Sequence, residues 1–239
     1  MMKINEPIIA LDFPNKEDTF AFLNKFPTDQ HLFVKVGMEL FFSEGQDLIR
    51  KLKDRGYSIF LDLKCHDIPH TVEKAMTVIG KLDVDLTTIH AAGGSEMMKA
   101  AKEGILNGCS SNNPTKILAV TQLTSITPKM LKNEQLVDVP LEKSVINYAK
   151  LAQNNGIDGV VCSGNEANLI YKNCGEEFLK ITPGIRLLGE DVGDQKRVMT
   201  PQKAAEQHSN GLVVGRSITQ ASNVIEAYKT VKKQWLEGK

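Results

Sequence analysis

Short β-rich runs alternate with longer helix-patterned segments along the whole chain, and eight such units fit within its 239 residues. The strand candidates are Ile8 to Asp12, Leu32 to Val36, Ser58 to Lys64, Leu86 to His90, Ile117 to Thr121, Gly159 to Cys162, Leu179 to Thr182 and Gly211 to Val214. Amphipathic segments such as Ser43 to Arg55, Ser95 to Leu106, Glu142 to Asn154 and Ile218 to Leu236 lie between them. Ser43-Glu44 reads as a helix start and Arg55-Gly56 as a stop. Strand–helix alternation gives a parallel sheet, and eight units suit a closed α/β barrel of this length. A doubly wound open sheet is the alternative, usually with fewer strands. No linker, low-complexity segment or repeat divides the chain, so residues 1–239 read as one domain.

Charge narrows the partners. Twenty-nine basic and twenty-nine acidic residues cancel, so no overall field favours nucleic acid or an anionic membrane, and an anionic ligand has to be gripped locally. The opening MMKINEPIIALDF runs straight into a strand and lacks a secretory pattern. No apolar stretch is long enough to span a bilayer. Cys65, Cys109, Cys162 and Cys174 are irregularly spaced, without a C-x-x-C pair or a zinc pattern. Reduced thiols and a cytoplasmic location are expected.

The polar residues collect where strands end. Asp12 closes the first run, Lys35 sits in the second, Asp62 and Lys64 end the third and His90 ends the fourth. Thr121 and Thr124 follow the fifth, Ser163 the sixth and Gly215-Arg216 the eighth. Buried charges are costly unless paired, so their convergence on one barrel mouth points to a polar ligand site. Residues i and i+2 of a strand share a face, which projects Asp62 and Lys64 together, with Lys35 in reach and Asp67 in the following loop. The array reads either as a structural salt-bridge network or as a site where a carboxylate faces an anionic group and a lysine delivers a proton. Gly211 to Ser217, GLVVGRS, leads from a strand into a helix, where bare backbone N–H groups, the helix start and Arg216 favour a phosphate. Two connections, Gln122 to Pro140 and Gly184 to Thr200, are longer than a barrel needs, as functional loops often are.

Other residues carry less. His66 and His70 flank Pro69 without the carboxylates of a metal site. His90 fits a satisfied core histidine as well as a site residue. Cys65 is read as packing rather than as a reactive thiol. Met38, Met97, Met98 and Met130 read as packing, and Trp235, in a basic helix, as surface or interface.

DLKCHDIPHT, Asp62 to Thr71, resembles the D-x-K-x-x-D-I-P-x-T signature of the orotidine 5'-phosphate decarboxylase family. PIIALDF, LFVKVGMELF around Lys35, HAAGG after His90, AVTQLTS ending at Ser125, DGVVCS, TPGIR, Asp194-Gln195 and VVGRSI extend the resemblance in family order over nearly the whole chain. Cys65 and His70 fill variable positions of the signature. The resemblance implies a single-domain (β/α)8 TIM barrel that works as a homodimer without a cofactor or metal, converting orotidine 5'-phosphate to UMP and CO2 in de novo pyrimidine biosynthesis. It implies that Lys64 protonates C6, that Asp62 stands beside the departing carboxylate, and that Lys35 and Asp67 complete the array. Asp67, Ile68 and Thr71 would finish the neighbouring subunit's site. Asp12 and Lys35 would hold ribose hydroxyls and Thr124 the base. Arg186, Gln195, Gly215 and Arg216 would hold the phosphate, under a lid formed by residues 184–200.

The chemistry implied is demanding, because loss of CO2 leaves charge in an sp2 orbital at C6 that the ring cannot delocalise as an enolate. Neither a pyridoxal lysine context nor a metal cluster is apparent, so preorganised charge has to stabilise the carbanion. Metal-dependent sugar-phosphate decarboxylases or aldolases resemble the chain in their D-x-K-x-x-D motif but place a Mg2+ carboxylate where Lys35 stands. A catalytically inactive nucleotide-binding barrel is the remaining alternative.

Overall fold

The computed structural model describes residues 4–112, 114–189 and 198–239. Its strands are β1 (Ile8–Ala10), β2 (Phe33–Gly37), β3 (Ser58–Cys65), β4 (Leu86–His90), β5 (Lys116–Val120), β6 (Gly159–Val161), β7 (Leu179–Thr182) and β8 (Gly211–Val214). They form a closed barrel in sequence order, parallel throughout, with β8 pairing back onto β1. The helices are α1 (Lys16–Leu23), α2 (Met38–Asp54), α3 (Pro69–Gly80), α4 (Gly94–Gly108), α5 (Pro128–Asn133), α6 (Leu141–Asn154), α7 (Gly164–Cys174), α8 (Pro201–Glu206), α9 (Arg216–Thr219) and α10 (Val224–Glu237). The chain is a single-domain (β/α)8 TIM barrel, not an open sheet.

The two-residue period of the strands sorts the core into two layers. Ile8, Ala10, Phe33, Phe60, Leu86, Leu118, Leu179, Ile181 and Val213 form one buried cluster that fills the barrel. The intervening Ile9, Val34, Ile59, Leu61, Ile89, Ile117, Ala119, Leu212 and Val214 join a larger cluster packed against the helices. Continued toward the strand ends, the inward phase runs from Ala10 to Asp12, from Phe33 to Lys35, from Phe60 to Asp62, and from Leu86 to Thr88 and His90. The alternation that fills the barrel with apolar groups therefore turns polar at its C-terminal mouth, where barrel active sites lie.

Several expected elements differ. The second helix begins at Met38 rather than Ser43, and is broken at Gly45, whose φ of 67° interrupts the helical path. Glu44, read as a helix-start residue, instead accepts the Lys16 backbone N–H at 3.1 Å. The segment from Ile218 to Leu236 is two helices, because Asn223 caps α10 by accepting the Glu226 N–H at 3.1 Å. Trp235 is not at the surface. It is fully buried on one stripe of α10 with Val224, Tyr228 and Val231, and its indole Nε1–H donates to the Ile4 carbonyl at 3.2 Å. The lysines that made this helix look exposed occupy its other faces. Met97 and Met98 are buried and Met130 is half-buried, but Met38, at the head of α2, is largely exposed. No helix among the described residues is long and apolar enough to cross a membrane.

Candidate active site

Asp62 is the hub of the barrel mouth. Its Oδ2 lies 2.8 Å from Lys64 Nζ and 3.9 Å from Lys35 Nζ, and Lys35 Nζ also reaches Asp12 Oδ1 at 3.2 Å. Four side chains from three adjacent strand ends thus interleave charge as Asp12–Lys35–Asp62–Lys64. Asp62 and Lys35 are nearly enclosed, whereas Asp12 opens to solvent. A Cβ at Gly37 would stand 3.2 Å from Lys35 Nζ, so the bare backbone at the end of β2 leaves room for that ammonium.

Asp62 and Lys64 meet, but not across a regular pleat. Leu61 pairs with Thr87 and Cys65 with Ile89, so four steps along β3 match two along β4. This irregularity is a bulge of the kind that re-aims side chains beside active sites. Lys64 sits within it at φ 54°, a left-handed conformation rare for a residue with a Cβ. Thr88, which sequence reasoning did not single out, is buried behind the pair and hydrogen-bonded to both residues. Its inward phase, two residues before His90, was the signal available.

His90 is half-buried at the same mouth, its ring 5.5 Å from that of His66. Burial first, then the neighbouring His66 and Lys64, push His90 below its ordinary value, while Asp62 pulls the other way. The imidazole is therefore neutral near pH 7. Burial pushes the Cys65 thiol up, which disfavours the thiolate a reactive cysteine needs. His70 lies outside the cluster, 3.8 Å from Glu73 on α3.

A cavity of about 600 Å³ opens beside the array. Asp12 and Lys35 line it together with Gly184, Arg186, Gly215 and Arg216, and a Cβ at Gly215 would stand 3.9 Å from Asp12 Oδ2. Arg186 is largely buried, and its guanidinium donates to the Ile185 carbonyl at 2.9 Å. Across the base of the long β7–α8 connection, Arg186 N–H donates to Met199 O at 3.0 Å and Met199 N–H to Gly184 O at 3.2 Å. The helix after Gly215 is a single turn. A helix this short contributes little dipole, so the positive character there comes from the guanidinium groups and bare backbone. Thr124 is half-buried in the connection after β5. Gln195, with the middle of the expected lid (residues 190–197), lies outside the described residues.

Asp67 does not join the array within the chain. It forms no ion pair with Lys35 or Lys64 among the described residues, and its Oδ1 accepts the adjacent Ile68 N–H at 2.6 Å. The whole stretch from His66 to Thr71 is exposed, and Ile68 shows 67% of its surface.

Comparison with known proteins places the chain in one family. A family model described as orotidine 5'-phosphate decarboxylase / HUMPS family matches residues 5–231. The orotidine 5'-phosphate decarboxylase of Ligilactobacillus salivarius is 61% identical over 236 residues, covering 99% of this chain and 100% of that protein. That of Enterococcus faecalis is 54% identical over 234 residues, covering 98% and 99% respectively. The crystal structure of orotidine 5'-phosphate decarboxylase from Lactobacillus acidophilus superposes with a TM-score of 0.86 at 45% identity, over 96% of this chain and 99% of that one.

Proposed function

The chain belongs to the orotidine 5'-phosphate decarboxylase / HUMPS family and is a carbon–carbon lyase, and from that premise we propose that it converts orotidine 5'-phosphate to UMP and CO2 without a metal or cofactor. The observation that carries the proposal is the single Asp62 oxygen held 2.8 Å from one lysine and 3.9 Å from another, beside a cavity lined by two arginines. The ribose hydroxyls meet Asp12 and Lys35, the phosphate meets Arg186, Gly215, Arg216 and Gln195, and the base meets Thr124. The C6 carboxylate then faces Asp62.

In the proposed reaction the bond between C6 and its carboxylate breaks, the electron pair stays on C6, and CO2 departs. Lys64 then transfers a proton from its ammonium to C6 and regains one from solvent. The developing carbanion is stabilised chiefly by lysine charge already in position, which spares reorganisation during the step. Repulsion between Asp62 and the substrate carboxylate is a secondary contribution. Binding energy from the distant phosphate offsets the cost of assembling the site around the base. Lys35 also argues against the sugar-phosphate reading, because its ammonium bridges Asp12 and Asp62 where a divalent cation would meet like charge.

The enzyme works as a homodimer in the cytoplasm, with Asp67, Ile68 and Thr71 completing the neighbouring site. The exposure of that stretch supports this, as does that of Phe42, 75% exposed on α2, which follows the adjacent strand. Exposed apolar side chains mark an interaction surface where they form a contiguous patch. The four cysteines, all free, fit a reducing compartment. Product analysis of the wild-type protein should find one CO2 for each UMP, and bound but unreacted nucleotide would favour the inactive barrel. Subunit sharing predicts that Asp67→Asn and Lys64→Ala, each nearly inactive alone, regain activity when mixed and allowed to exchange subunits. A random hybrid population then carries one intact site in about half of its dimers. Mixtures as inactive as their parents would place Asp67 in its own subunit's site.

A further inference from the structure

Thr88 is fully buried on the inward face of β4, directly behind the charged array. Its hydroxyl is engaged twice, each time with β3. The O–H donates to Asp62 Oδ1 at 2.9 Å, and the oxygen accepts the Lys64 backbone N–H at 2.9 Å. Both contacts fall inside the bulge, where the parallel ladder between Leu61 and Cys65 loses its register. The bulge costs Lys64 N–H a regular partner, and Thr88 supplies one.

Two features of the array depend on these bonds. With Oδ1 tied to Thr88, the Asp62 carboxylate is fixed in rotation, and Oδ2 is the oxygen left to face Lys64 and Lys35. The left-handed backbone of Lys64, at φ 54°, is strained and persists only where its surroundings enforce it. The bond from Thr88 is one such enforcement. We infer that Thr88 is a positioning residue whose hydroxyl holds the Asp62 carboxylate and the Lys64 backbone together in reacting geometry, touching no substrate itself. The inference deepens the proposed decarboxylation and rests on it for its kinetic consequences, while the bond to Lys64 N–H can be tested without substrate.

Two replacements separate the hydroxyl from the volume. Thr88→Val keeps the shape and removes the hydroxyl, and Thr88→Ser keeps the hydroxyl and removes a methyl. One or two hydrogen bonds to charged or strained groups correspond to a fall in kcat of about 30-fold in Thr88→Val. KM should stay within about threefold, and Thr88→Ser should stay within about threefold of wild type in both constants. Equal losses in the two variants would overturn the inference by assigning the effect to packing, as would KM rising in step with the fall in kcat. Should Thr88→Val not fold, Thr88→Ala is compared with Thr88→Ser in its place. Amide hydrogen exchange at Lys64 provides the substrate-free reading, and it should quicken at least about tenfold when the hydroxyl is lost but not in Thr88→Ser. Unchanged exchange overturns the inference. That result stands even if wild type leaves orotidine 5'-phosphate untouched, an outcome that would strike the proposed function instead.

Discussion

Replacing Lys64 with alanine should lower kcat on orotidine 5'-phosphate by on the order of 10⁴-fold or more, while UMP still binds. Two losses combine in this one substitution. The proposed proton donor to C6 disappears, a role that general acids fill with factors of about 10²–10⁴. The ammonium nearest Asp62 Oδ2, at 2.8 Å, disappears with it, and a preorganised charge of that kind contributes about 10²–10³. Alanine retains a Cβ, so the left-handed backbone at this position is no more strained than before. The remaining machinery is untouched: Lys35 still pairs with Asp12 at 3.2 Å, and Arg186 and Arg216 still line the cavity. Isothermal titration with UMP beside steady-state kinetics checks the prediction. A fall in kcat of less than about tenfold would remove Lys64 from the proton-transfer step.

Arg216→Ala should lower kcat/KM by about 10²–10³-fold, the loss expected of a bidentate, charge-assisted contact. Arg216 lines the same cavity as Asp12 and Lys35, and its substitution leaves the ion pairs of Asp62 with Lys64 and Lys35 in place. A large effect on turnover from a residue that holds the phosphate follows if phosphate binding energy is used to close and assemble the site. Arg216→Lys should recover only part of the loss, because an ammonium cannot make the paired contact of a guanidinium. With orotidine, which lacks the phosphate, wild type and Arg216→Ala should react at the same rate. An effect near threefold on the phosphorylated substrate would reduce Arg216 to an ordinary surface contact.

Much of this site is legible in the sequence because the strand period that fills the barrel also aims the polar strand ends. Lys35 follows Phe33 by two residues and Asp62 follows Phe60 by two, so patterning alone directs both side chains to the mouth. What the pattern omits is register. The bulge between Leu61 and Cys65 depends on the pairing of β3 with β4, a long-range contact without a local signature, and it is the bulge that gives Lys64 its left-handed conformation. Thr88 was passed over because TTIH reads as an ordinary β-branched strand. Of its two threonines, Thr87 donates to the Leu61 carbonyl at 3.0 Å, whereas Thr88 reaches Asp62. Trp235 misled for a related reason. Lys232 and Lys233 gave the last helix a basic character, but Lys232 pairs with Glu6 at 2.6 Å, and the tryptophan is buried with its indole N–H on the Ile4 carbonyl. Composition describes a helix as a whole, and burial follows one stripe of it.

The most direct test of the account is the initial loss of orotidine 5'-phosphate ultraviolet absorbance with wild-type protein treated with EDTA. The account predicts a rate equal to that of untreated protein, because the charges that stabilise the carbanion are side chains fixed in the fold. A folded protein that leaves the absorbance unchanged in EDTA and regains activity with Mg2+ would contradict it, and would move the chain toward the sugar-phosphate enzymes of the same barrel.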